Sequence, residues 1–170
     1  MKVSIIGGTG FVGSYVVDKL VEAGHCPRLL VRPGSDGLVR HAESCELVPG
    51  DVGDRDAIAA CLAGTDAVVY LIGILREFPD RGITFEELQQ RAVERVIACA
   101  ADAGVERFLL MSANGVKIDG TPYQRTKARA ETALKETDLS WTIFRPSVIY
   151  GDPRGRMEFC TQLHRDIIDS

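Results

Sequence analysis

The chain has 170 residues, 45% of them hydrophobic, and carries a formal net charge of −4. That length fits one domain burying about 70% of its unfolded surface, and the mild acidity argues against a broad electrostatic contact with nucleic acid or an anionic membrane. No apolar run approaches the ~20 residues of a membrane span, and the N-terminus lacks signal-peptide character.

In chain order, a short apolar strand at 3–6 runs straight into Gly7-Gly8-Thr9-Gly10-Phe11-Val12-Gly13, and a helix is predicted over 12–23. In this G-x-x-G-x-x-G spacing the first glycine permits a sharp turn out of the strand. The second lets the backbone approach a pyrophosphate, and the third lets the helix pack tightly on the sheet. Free N–H groups at the helix N-terminus then hold negative charge. Gly7, Thr9, Gly10, Phe11, Val12 and Gly13 are therefore candidate dinucleotide-binding residues.

Further strands are predicted at 27–31, 45–48, 67–71, 108–111 and 141–144, and helices at 36–42, 55–62, 85–103 and 123–137. Most strands are unbroken apolar runs, as in parallel sheets covered on both faces. Thr84 and Glu87 form a capping box at the start of the long fourth helix, which Gly104 ends. Right-handed crossovers give an α/β doubly wound parallel sheet, a Rossmann fold of order 3-2-1-4-5-6 with helices on both faces. Residues 1–151 would form this dinucleotide-binding domain. A loop follows Phe144, and a last helix is predicted over 157–168, so residues 152–170 read as the start of a truncated substrate segment.

Ligands of such sheets lie beyond the carboxyl ends of the strands. Arg32 ends the second strand, where an acid would bind the ribose 2′-OH of NAD. A guanidinium there suits a 2′-phosphate instead, with Ser35 adding a hydroxyl, so NADP(H) is favoured and NAD(H) remains open. A merely solvated Arg32 is the plain alternative, and nearby Asp36 argues for NAD. Asp51, followed by Val52, either meets the adenine edge or caps the helix at Arg55. Leu71, Ile72 and Gly73 would line a ribose, and Pro146 would close the cofactor site.

Ser112 follows the fifth strand, and Tyr123 and Lys127 stand four apart on one helix face. A cation beside a phenol lowers its pKa, so Tyr123 could serve as acid, Lys127 could bind the nicotinamide ribose, and Ser112 could polarise a carbonyl. The loop over 74–83, with Arg76, Glu77 and Arg81, is expected to border the pocket. Five cysteines without a C-x-x-C pair and three scattered histidines predict a reduced, cytoplasmic chain with no metal site.

Gly7, Gly10, Gly13, Asp51, Ser112, Tyr123, Lys127 and the run Arg145-Pro146-Ser147-Val148-Ile149-Tyr150-Gly151 appear in an order that resembles the short-chain dehydrogenase/reductase superfamily, in its extended or atypical branch. Gly82-Ile83-Thr84-Phe85-Glu86, Met111-Ser112-Ala113 and Thr142-Ile143-Phe144-Arg145 resemble the NADPH-binding accessory subunit of respiratory complex I and its bacterial relatives. The superfamily likeness implies a carbonyl reductase using NADPH, acting on a small-molecule substrate through Ser112, Tyr123 and Lys127. The narrower likeness implies a catalytically silent scaffold or regulator that holds NADPH and meets a protein partner. An NAD-dependent nucleotide-sugar epimerase or dehydratase is the third implied reading, and Arg32 argues against it. The eleven-residue step from Ser112 to Tyr123 is shorter than in typical extended members, which bears on whether the tyrosine reaches the nicotinamide.

Overall fold

In the computed structural model, residues 1–156, 163 and 164 are described. The elements are β1 (Lys2–Ile6), α1 (Phe11–Glu22), β2 (Cys26–Val31), β3 (Glu46–Pro49), α2 (Arg55–Leu62), β4 (Ala67–Tyr70), α3 (Ala92–Asp102), β5 (Arg107–Met111), α4 (Pro122–Lys135) and β6 (Ser140–Phe144). The six strands form one parallel sheet in the order β3-β2-β1-β4-β5-β6. This is the predicted Rossmann topology.

Adjacent strand residues point to opposite faces, and here both faces are apolar. Ile5 and Leu29 pack with Val17 of α1 on one face. Ile6, Leu30 and Tyr70 pack on the other with Ile58 of α2, Val93 and Val96 of α3, and Leu134 of α4. Burial on two sides explains why the strands read as continuous hydrophobic runs.

Two predicted helices differ. In place of a helix over 36–42 there are two 3₁₀ turns, Asp36–Leu38 and Ala42–Ser44, separated by His41 in the left-handed region at φ 51°. A segment that opens on Pro33-Gly34 and carries Gly37 has too little helix propensity to bridge that interruption. The long helix over 85–103 is composite: Glu86–Arg91 is wound as a π-helix before α3 begins. Ala92 N–H bonds the Glu87 carbonyl, five residues back, and the buried Tyr70 hydroxyl donates to the Leu88 carbonyl at 2.6 Å. A side chain bonded into the helical ladder is a known cause of such local widening.

The capping box expected there is half made. Glu87 N–H donates to Thr84 Oγ1 at 3.1 Å, but the Glu87 carboxylate pairs with Arg95 rather than returning to the cap. A complete box stands instead at α4, where Thr121 and Gln124 satisfy each other's backbone N–H. The helix expected over 157–168 lies outside the described residues, apart from Leu163 and His164, which are helical. Among the described residues no helix is long and apolar enough to cross a membrane.

Candidate functional site

The glycine turn after β1 is built for close approach. Gly7 has φ +97°, which disfavours any side chain. A Cβ on Gly13 would lie 2.2 Å from the Gly7 carbonyl oxygen, so this position packs the start of α1 onto the turn. Gly10 differs: a Cβ there would meet only that oxygen, at 3.4 Å. The protein's own packing leaves Gly10 room for a side chain, which would project beside the cleft that Gly10 lines. No side chain caps α1 and no acid stands in its first turn, so its N-terminal N–H groups face the cleft with their positive end uncompensated.

The cleft, a cavity of about 1090 Å³, opens at the carboxyl ends of the strands. Gly7, Thr9, Gly10, Phe11, Val12 and Gly13 form one wall. Arg32, Asp51 and Val52 line the next stretch, and Leu71, Ile72 and Gly73 continue it beyond β4. Ser112, Tyr123, Lys127 and Pro146 close the far end. Of the candidate cofactor-binding and catalytic residues, Ser35 alone stands outside the wall; its N–H instead closes a turn onto the Arg32 carbonyl at 2.9 Å. Asp36 is also outside it. Arg32 lies exposed with no ion pair among the described residues.

Asp51 does not cap α2. Its Oδ1 accepts from Gly53 N–H at 3.0 Å, while Asp54 caps the helix by accepting from Asp56 and Ala57 N–H at 2.9 and 3.2 Å. The capping role expected of Asp51 belongs to Asp54, and Asp51 lines the cleft.

At the other end, the polar side chains are bonded to one another. Ser112 Oγ, buried, donates to Glu131 Oε1 at 2.6 Å. Glu131 is 2% exposed and also accepts from Lys135 Nζ at 3.2 Å and from two nitrogens of Arg145. Burial alone would raise its pKa, but hydrogen bonds from Arg145, Ser112 and Lys135 outweigh that and bring it down to about 2. Lys127 is equally buried and donates from Nζ to the Met111 carbonyl at 2.9 Å. Burial pulls its ammonium down to about 8, against the opposing influence of Glu131.

Tyr123 corrects one expectation. Lys127 does not lower its pKa here; burial raises it, and the lysine proton is directed at Met111. The phenol lines the cleft, its ring edge-on to Phe85 at 5.6 Å, with no hydrogen-bond partner among the described residues. Glu131 itself was overlooked in the sequence reading. Tyr123, Lys127 and Glu131 are spaced i, i+4, i+8, which puts all three on one helix face, and that spacing was the available signal.

Beyond β6 the chain folds back onto the first half of the sheet. Arg154 reaches Asp18 at 2.7 Å and lies 3.6 Å from the centroid of the Tyr15 ring, and Arg156 Nε donates to the Thr9 carbonyl at 2.9 Å. The glycine turn is thus braced from above.

A free helix N-terminus, an uncrowded Gly10 and an unpaired arginine in one cleft fit an extended anionic ligand such as a dinucleotide. The family described as NAD(P)H-binding matches residues 7–166. The chain is 30% identical over 160 residues to a mitochondrial NADH dehydrogenase [ubiquinone] 1 alpha subcomplex subunit 9 from Arabidopsis thaliana, covering 87% of this chain and 38% of that protein. It is 31% identical over 150 residues to a ceramide reductase from Caulobacter vibrioides, covering 88% of this chain and 46% of the relative. The chain therefore spans less than half the length of both relatives. The structure of the Bordetella bronchiseptica enzyme WbmH in complex with NAD+ shares the fold, with a TM-score of 0.77 at 20% identity over 92% of this chain and 58% of that one. Sheet order, cleft and family match agree, and the chain belongs to the NAD(P)H-binding family of the short-chain dehydrogenase/reductase superfamily.

Proposed function

We propose that the cleft holds NADP(H) in preference to NAD(H) and that the protein is a carbonyl reductase of the atypical short-chain type. The observation that carries this reading is Arg32, whose guanidinium lines the cavity without an acidic partner while Asp36 stays outside the wall. A 2′-phosphate supplies the missing anion in charge-assisted, two-pronged form. When bound, the cofactor supplies a hydride to the carbonyl carbon. Tyr123 delivers its phenolic proton to the carbonyl oxygen, and the Lys127 ammonium, one helical turn on and bonded to the Met111 carbonyl, is placed to hold the nicotinamide ribose. The Ser112 hydrogen is given to Glu131, so the expected polarisation of the carbonyl by Ser112 falls to Tyr123 instead. The ceramide reductase relative supports the reductase reading.

One observation favours a second reading, a silent NADPH-binding scaffold: the Ser112 hydroxyl hydrogen is engaged by Glu131, away from any carbonyl. The NADH dehydrogenase subunit relative supports it too. The free thiols of Cys26, Cys45, Cys61 and Cys99 support a reducing compartment, the cytoplasm. Residues 152–156 lie against the glycine loop, where Arg156 Nε donates to the Thr9 carbonyl.

A thermal melt tests the cofactor. NADPH at about 100 times its Kd adds about 2.7 kcal/mol, a rise of roughly 5–11 °C at this size. An equal rise with NADH would remove the 2′-phosphate argument. Carbonyl-dependent oxidation of NADPH should fall about 100-fold or more in Tyr123→Phe. Undiminished turnover would sink the acid role, and tight binding without any turnover would select the scaffold.

A further inference from the structure

We infer that the loop between β4 and the π-helix forms a subsite for a phosphate monoester on the substrate, held by Arg76 and Arg81. This rests on the reading that the cleft holds NADP(H).

Both arginines line the cavity, and both guanidinium groups gather at one ring: Arg76 Cζ lies 5.6 Å and Arg81 Cζ 5.9 Å from the Phe78 centroid. Neither makes an ion pair among the described residues. Each guanidinium lies over the Phe78 ring, whose π-face attracts it but supplies no counter-charge, so both keep their donors for an anion. The loop does contain carboxylates, but they do not answer the arginines. Glu77, between them in sequence, turns away and accepts from Phe85 N–H at 2.7 Å, and neither Glu77 nor Asp80 lines the cavity. The Glu87 carboxylate, which does line it, is occupied by Arg95.

The loop is shaped to hold them there. Phe78 and Ile83 exchange backbone hydrogen bonds at 2.7 and 3.1 Å, closing a ring around the Pro79–Arg81 turn, with Gly82 in the left-handed region at φ 68°. Two bridges then tie it to the helix that carries Tyr123. Phe85, which Glu77 anchors, packs edge-on against the Tyr123 ring. Gln89, fully buried, donates to the Ile74 carbonyl at 2.8 Å and places its Oε1 3.4 Å from Thr126 Oγ1. Arg76 and Arg81 therefore belong to the reactive end of the cleft, across β1 from Arg32. They are in place for a group on the substrate and apart from the cofactor's own 2′-phosphate. A monoester carrying ≈ −1.5 to −2 charge matches two guanidinium groups better than a single carboxylate does.

Calorimetric titration of the NADPH-loaded chain with phenyl phosphate tests this, with benzoate and benzyl alcohol as the singly charged and neutral counterparts. Phenyl phosphate should bind about 10-fold or more tighter than either. Replacing both arginines (Arg76→Gln with Arg81→Gln) should weaken phenyl phosphate about 100-fold and leave NADPH affinity within about 2-fold. Both side chains are exposed, so an unchanged melting temperature checks that the fold survives. Unchanged phenyl phosphate affinity in the double variant would overturn the proposal. So would benzoate binding as tightly, or an equal loss of NADPH affinity, which would hand the arginines to the cofactor. If NADPH fails to bind the unaltered chain, the cofactor reading falls by itself, and the same titration on the protein alone still decides the arginine pair.

Discussion

The two ends of the cleft are built on opposite plans. Around β1, α1 and β2 the groups that face the cavity are backbone N–H donors and the Arg32 guanidinium, and no acid answers them. Around β5, α4 and β6 the polar side chains answer one another: Ser112, Arg145 and Lys135 converge on Glu131, and Lys127 is bonded to Met111. Uncompensated positive groups gain most when an anion arrives, so affinity for a phosphate-bearing cofactor resides at the first end. A satisfied buried network gains little from a ligand but fixes positions closely. The second end supplies geometry, and it leaves the Tyr123 hydroxyl open to the cleft. The arginine loop repeats the first plan at the second end.

The largest expected effect comes from breaking the satisfied network. Glu131→Ala leaves a buried serine hydroxyl without its acceptor and releases Arg145 from the loop after β6. Losing one partner of a buried ionic cluster costs about 3–5 kcal/mol, and because Arg145 and Lys135 are half exposed the lower figure applies. About 3 kcal/mol lowers the melting temperature by roughly 6–12 °C. The rise in melting temperature on adding NADPH should persist in the variant, because the adenosine end is untouched. A variant as stable as the wild type would show the cluster to be ornamental. Loss of both stability and NADPH response would show that the two ends are not separate.

Arg32→Ala probes the other plan. The side chain is exposed and unpaired, so folding stability should change by no more than about 0.5 kcal/mol. A charge-assisted contact contributes about 1.5–3 kcal/mol, so NADPH should bind about 10- to 100-fold more weakly while NADH affinity holds. Equal weakening of both nucleotides would place Arg32 on the shared pyrophosphate. No change in either would return it to solvent.

The contrast between the ends also explains what could be read from sequence. The glycine turn is legible because backbone constraints dictate residue type: Gly7 needs its positive φ, and Gly13 has no space for a methyl group. The sheet order is legible because strands buried on both faces must be apolar throughout, as Ile5 and Ile6 show by packing on opposite sides. Glu131 is harder to see because a carboxylate on a helix is ordinarily solvated, and only contacts distant in sequence, to Ser112 and Arg145, reveal that it is buried. The Tyr123 misreading has the same origin. Spacing on a helix says which side chains share a face, but the Met111 carbonyl that takes the lysine proton comes from a strand. The absent helix over 36–42 marks the converse case, where local turn chemistry prevailed with no core to override it.

The smallest effect tests whether Lys127 is as confined as its contacts imply. Burial holds the folded ammonium at about 8, below its usual 10.5. Between those values the unfolded chain keeps the proton that the folded chain has lost, so the contribution of Lys127 to stability should rise as pH climbs from 8 towards 10. The thiols of Cys61, Cys45 and Cys99, raised by burial from their ordinary 9, and Tyr123, raised from 10, act in the opposite sense at the top of the window and cancel in a comparison with a variant that keeps them. Lys127→Met removes the titrating group while keeping an unbranched chain in the same space. The melting temperature of wild type relative to this variant should gain about 4–8 °C across the window, equivalent to about 2 kcal/mol. A flat difference would mean that the ammonium is hydrated in the folded state. The lysine would then have lost the dry setting in which its bond to the Met111 carbonyl fixes it, and the reactive end would no longer differ in kind from the solvated edge of the cleft.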